Sequence, residues 1–133
     1  MKAFVLQDWV TVRGATTVTQ IIQNEANYAA LDQFQDVILW LQVPEVTLGG
    51  GTVTMNLDTA PLKDESLFTP MTNLNIGVTQ GALAPIIKSN LLNASGNNVP
   101  LSRWVRWHIT TSGSGTWDMT FRILLVANQQ IGT

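Results

Sequence analysis

The chain predicts an all-β fold, an antiparallel β-sandwich of jelly-roll type. Three observations carry that expectation. Several short segments alternate apolar and polar residues with period two. Clusters of turn-forming residues separate them. Val, Ile and Thr make up 37 of the 133 residues, and these β-branched side chains suit pleated surfaces.

Residues 6–12 and 17–23 are weak strand candidates. Residues 20–31 hold good helix formers, yet Ile21, Ile22, Tyr28 and Leu31 make a poor helical stripe. Residues 34–43 read as a strand with Val37, Leu39, Leu41 and Val43 on one face and Phe34, Ile38 and Trp40 on the other. Apolar on both faces, it is expected to be central and covered on both sides, with Pro44 limiting its extension. Gly49, Gly50 and Gly51 form a turn before the alternating residues 52–57. Residues 61–68 offer one helical turn, with Asp64 and Glu65 near its N-terminal end. Residues 74–79 are a weak strand. Residues 82–92 are interrupted by Pro85 and run into the loop composition of residues 93–98.

The clearest elements come last. In residues 101–110, Val105, Trp107 and Ile109 share one face and Trp104, Arg106 and His108 the other. In residues 116–126, Trp117, Met119, Phe121, Ile123 and Leu125 oppose Thr116, Asp118, Thr120 and Arg122. The polar, Gly-rich residues 111–115 between them have hairpin length. One sandwich domain over residues 1–133 follows, with residues 1–12 and 127–133 as interacting arms, since Phe4, Val5, Leu6 and Trp9 look exposed.

Composition narrows function. Charged residues are 12% of the chain, about half the usual ~25%, whereas Thr, Asn and Gln number 16, 10 and 9. Zero Cys excludes a disulfide framework, a zinc-cysteine site and a thiol nucleophile. A net charge of −2 with seven scattered basic residues argues against nucleic acid as a partner, which demands a concentrated positive field. The apolar run near Met1 is too short for a signal peptide, and no run approaches the ~18 residues that span a bilayer. The expectation is a soluble protein made in a cytoplasm.

Catalytic signals are missing. His108 stands alone, without a nucleophile motif or ligand spacing to nominate a partner, and reads as a strand histidine. Asp64 and Glu65 are adjacent, which suits a turn or cap better than an acid/base couple. The triple glycine lacks the lysine and the strand-to-helix setting of a phosphate loop. No enzyme activity, cofactor or metal is expected. Tryptophan is the residue of interest, with five in the chain. Trp107 and Trp117 fall on core faces and Trp40 in the doubly apolar strand, which leaves Trp9 and Trp104 for exposure. Trp104, Arg106 and His108 form an aromatic and basic row of the composition enriched at protein interfaces. Phe4, Trp9, Trp104, Arg106 and His108 are therefore the candidate partner contacts, and a sugar platform on Trp104 is the rival use.

Residues 36–43 (DVILWLQV), 56–61 (NLDTAP) with 64–68 (DESLF), 101–107 (LSRWVRW) and 113–121 (GSGTWDMTF) resemble, in that order, small β-sandwich structural and decoration proteins of tailed bacteriophages and phage-derived particles. In outline they also resemble galactose-binding-type jelly rolls. The resemblance covers residues 14–126 and rests on strand edges and turns. It implies a capsid-decorating or other minor virion component, assembled in the host cytoplasm and binding other virion proteins or further copies as a homo-oligomer, with a trimer as the expected state. Carbohydrate binding, as in host attachment, is the alternative it implies, although the convergent polar and aromatic loop residues of such modules are missing. Neutral polar strands fit a surface that pairs without the desolvation cost of charges, and uncharged edge strands invite pairing with other chains.

Overall fold

The computed structural model describes residues 2–15, 20–49, 52–74, 82–89, 99–112 and 115–129. In chain order its strands are β1 (Lys2–Gly14), β2 (Gln20–Ile22), β3 (Ala29–Ala30), β4 (Phe34–Leu48), β5 (Thr52–Ala60), β6 (Thr69–Leu74), β7 (Ala82–Ser89), β8 (Trp104–Ser112) and β9 (Trp117–Gln129). One antiparallel sheet has the order β1-β9-β4-β7 and the other β2-β8-β5-β6, with the short β3 also pairing β8. Most successive strands change sheet, and this order is that of an eight-stranded jelly roll. The all-β sandwich expectation holds.

The period-two faces explain how the sheets meet. Val37, Leu39, Leu41 and Val43 of β4 and Met119, Phe121, Ile123 and Leu125 of β9 are almost fully buried. They face Val53, Met55 and Leu57 of β5 and Val105, Trp107 and Ile109 of β8 in one core. Trp107 and Phe121 meet edge to face across the sheets, ring centroids 5.1 Å apart. Each such aromatic burial removes a large apolar area from water and dominates the core's energetics.

Several expectations are corrected. β8 and β9 do not form a hairpin: they lie in different sheets, β9 between β1 and β4, β8 between β2 and β5. Both strands have a strongly apolar face, and facing each other across the core buries both. Pro44 does not end its strand. β4 continues to Leu48, and a register shift between Gln42 and Glu45 absorbs the proline, since a bulge tolerates a residue without an N–H. Residues 82–89 are a strand, and Pro85 sits on β7 at a sheet edge, where its missing donor is harmless. Residues 20–31 contain only the 3-10 turn Glu25–Asn27 between β2 and β3.

The single helical turn in residues 61–68 is present as the 3-10 turn Glu65–Leu67. Asp64 caps it, its Oδ1 accepting from Ser66 N at 3.0 Å and Ser66 Oγ at 2.8 Å. These bonds, the hydroxyl's foremost, hold the Asp64 carboxyl below its usual pKa. Residues 2–12 lie within β1, paired with β9, and Leu6 is buried in the core instead of exposed. Gly115 adopts φ +100°, and a Cβ there would come within 2.9 Å of Gly49 O. Only glycine allows that approach of the two chain segments flanking the last β4–β9 pairs. The weak strand at 74–79 beyond Leu74, the loop 93–98 and the tail 130–133 lie outside the described residues.

Candidate functional site

Four of the five candidate contact residues stand on the two outer faces of the sandwich, while Phe4, in register with the core residue Leu125, packs against the core. Trp104, Arg106 and His108 share the outer face of the second sheet, as their alternation implies. The expectation that this row is surface is corrected: Arg106 is 3% exposed. Its cover comes from two turns distant in sequence. Tyr28 follows the turn Glu25–Asn27 and Phe68 follows Glu65–Leu67, and their rings meet edge to face at 5.2 Å. The Arg106 guanidinium lies 4.1 Å from the Phe68 centroid beneath them.

Arg106 is the centre of an ion cluster. Its Nε donates to Asp58 Oδ2 at 3.0 Å, Nη1 to Tyr28 Oη at 3.1 Å and to Glu65 Oε2 at 2.5 Å, and Nη2 to Glu65 Oε1 at 3.0 Å. Register explains the first contact, because Asp58 on β5 stands directly across from Arg106 on β8. Burial opposes the arginine's charge, but the bonds to Glu65, Tyr28 and Asp58 outweigh it and raise its pKa. The hydrogen bonds from Arg106 hold the Glu65 carboxyl below its usual range, against a smaller desolvation.

His108 Nδ1 stands 3.2 Å from Asp58 Oδ2, and Nε2 lies 3.3 Å from Gln20 Oε1. Asn56, buried beside it, donates to His108 O and Thr110 Oγ1. Trp104 is half-buried with Lys63 Nζ 4.6 Å and Arg103 Cζ 5.5 Å from its ring. The cluster has the pieces of an Asp–His pair, yet Arg106 already engages the carboxylate, and no nucleophilic hydroxyl bonds His108 Nε2 among the described contacts. Among the described residues no group of three or more His, Asp and Glu is placed to hold a metal ion. The chemistry here is cross-linking: one guanidinium joins β5, β8 and two turns.

The outer face of the first sheet is different. A shallow apolar groove of about 550 Å³ is lined by Ala3, Phe4 and Val5 of β1, Trp40 and Gln42 of β4, and residues 124–126 of β9. Phe4 is half-buried and turned to the core, 5.4 Å edge to face with the buried Phe34, with Lys2 Nζ 5.0 Å from its ring. Val5 is 59% exposed. Trp9 is 48% exposed, with the Arg122 guanidinium 4.6 Å over its ring.

Trp40 is not a core residue. It lies across from Leu124, half-buried on the outward face, whereas Leu39 and Leu41 beside it are fully buried. Apolar character on both sides of β4 therefore does not mean cover on both sides. Sequence reasoning placed Trp40 in the core and passed over Leu124 and Val126. The available signal was in β9, whose outward positions read Asp118, Thr120 and Arg122 and then turn apolar.

No family model matches the chain, and no curated protein does. Solved structures match over nearly all of it. A chain of the structure of infectious bursal disease virus Gx strain is similar over 96% of this chain, at 13% identity and a TM-score of 0.52. A chain of the Gt strain structure is similar over 96%, at 12% identity and a TM-score of 0.51. One from the crystal structure of the infectious bursal disease virus VP2 subviral particle aligns over 95%, at 12% identity and a TM-score of 0.48. The chain spans about a third of the length of those virus chains. At such identity the likeness is one of fold.

Proposed function

We propose that this chain is a structural component of a virus particle that works by packing against other virion proteins or further copies of itself. The observation that carries the reading is the apolar outer face of the first sheet, where Trp40, Leu124, Val126 and Val5 stand together. A face of this kind rimmed by polar residues marks a protein interaction site. The jelly-roll topology and its likeness to chains of a virus support a particle as the setting. The second sheet supports a mechanical role, because its charged residues are spent on bracing turns to strands rather than on a reactive centre.

The finer reading is a capsid-decorating protein of a phage-like particle, supported by the resemblance of the strand-edge segments. Contact runs through Phe4 and Trp9 on the first sheet. Trp104 and His108 contribute on the second sheet, and Arg106 acts from beneath. Mass spectrometry of particles purified from the producing host tests this. The chain is expected at a stoichiometric level, with Trp9 and Trp40 protected from oxidative labelling relative to the free protein. Absence from particles, or unchanged labelling within them, refutes the reading.

A further inference from the structure

The outward residues of β4 and β9 include four successive cross-strand pairs, Asp36–Asn128, Ile38–Val126, Trp40–Leu124 and Gln42–Arg122, and beyond the register shift the ladder continues with Glu45–Thr120 and Thr47–Asp118. The middle two rows of the four are apolar, and Ala3 and Val5 of β1, in register with Val126 and Leu124, extend them to the sheet edge. The two rows that bound this apolar pair carry opposite charge. Asp36 Oδ1 accepts from Asn128 Nδ2 at 2.7 Å at one end, and Arg122 Nε donates to Gln42 Oε1 at the other. At about 3.4 Å per residue the charged rows stand roughly 20 Å apart, each about 10 Å from the Leu39–Leu125 row between them.

We infer that this face is self-complementary and pairs with a second copy of the chain about a two-fold axis that lies in the face, perpendicular to the strands, over the Leu39–Leu125 row. That rotation reverses the strand direction and keeps β4 over β4 and β9 over β9. The Trp40–Leu124 row then meets the second copy's smaller Ile38–Val126 row, and each Asp36 faces the second copy's Gln42–Arg122 pair. Both charged ends are satisfied at once, which is the condition of an isologous interface. The rival axis, parallel to the strands, sets acid against acid and base against base. Four strands at about 4.8 Å by 20 Å give a flat overlap of roughly 400 Å² per copy, below the ~800 Å² of a standard interface. The pairing is therefore weak in free solution and gains from repetition in an assembly.

The inference rests on the reading of this face as an interface and names its occupant. Sedimentation velocity of the purified full chain, from about 10 μM to about 1 mM, is expected to show monomer giving way to dimer. Leu124→Asp abolishes the dimer, and Val5→Asp weakens it without touching the core, should the first variant fold poorly. Asp36→Arg and Arg122→Asp each weaken pairing about tenfold, and the two together restore it. Strict monomer across the range, a trimer, or a double swap no better than either single swap overturns the inference. A monomer whose Leu124→Asp variant is also lost from particles overturns the self-pairing alone and leaves the structural reading intact.

Discussion

Arg106→Leu is the substitution whose cost follows most directly from the structure. Asp58 is 2% exposed, and Arg106 Nε, 3.0 Å from its Oδ2, is its nearest ionic partner. Removing one member of a buried pair costs up to about 3–5 kcal/mol, since the remaining carboxylate loses its guanidinium, has little water, and keeps only the contact with His108 Nδ1 at 3.2 Å. The bond to Glu65 adds little, because that carboxylate is 66% exposed and water replaces most of what is lost. Against a total stability of roughly 5–15 kcal/mol the change is large. For a domain of this length it lowers the Tm by about 10–20 °C.

Urea unfolding followed by tryptophan fluorescence measures this directly. The companion variant Asp58→Leu/Arg106→Leu is expected to regain most of the loss, since an apolar pair of similar volume replaces a buried ion pair at little cost. Asp58→Asn costs less than Arg106→Leu, because Arg106 keeps Glu65 and Tyr28. An Arg106→Leu variant within about 1 kcal/mol of the parent, or a double variant as unstable as the single, refutes the claim that the uncompensated Asp58 charge is the cost.

Glu65→Gln gives a pH signature. The Glu65 pKa is lowered in the folded state by Arg106, so its contribution is present above the unfolded value of about 4.3 and is lost as pH falls through the folded one. The Tm gap between parent and variant should be widest near neutrality and close as pH drops below about 4; a gap independent of pH contradicts the pairing. Gln23→Leu should cost at least about 1–3 kcal/mol. Gln23 is buried, donates to Leu6 O and Asn27 O, and accepts from Trp107 N, so hydrogen exchange at the Trp107 amide should accelerate. Gly14→Ala sets a Cβ 2.5 Å from the buried Trp117 indole, and overpacking of this kind costs about 1–3 kcal/mol; a calorimetric Tm unchanged from the parent would show that the ring moves freely.

Parity was legible in the sequence and cover was not. Alternation in β8 and β9 separates core from outward positions correctly, and Trp107 and Trp117 fall where period two puts them. The residues that decide what lies over an outward position are far away along the chain. Arg106 meets Glu65 from 41 residues off and Asp58 from 48, so no local pattern shows that its face is roofed. Trp40 errs in the opposite direction, apolar on a face with little over it. The hairpin expectation failed for a related reason. Two adjacent strands with strong apolar faces fit a hairpin or a pair opposed across the core equally well by pattern, and only the long-range ladders of β9 with β1 and β4 decide.

The low charge of the chain takes on a specific meaning once its few charges are placed. Asp58, Glu65 and Arg106 are joined to one another on the second sheet. On the first sheet the apolar rows are bounded by Asp36 and Arg122. The edge strand, expected to be uncharged and open to pairing, is guarded: β1 carries Lys2, Asp8 and Arg13 and has register shifts between Val5 and Gln7 and between Gln7 and Val10. Bulges and charge are the usual defences of a sheet edge, and Pro85 removes a donor from β7 at the opposite edge. With both edges of the first sheet blunted, a further strand has poor access to its backbone. Side chains on the face remain the means of contact, and there Val5, Trp40 and Leu124 supply the apolar area while Asp36 and Arg122 fix the direction in which a partner lies.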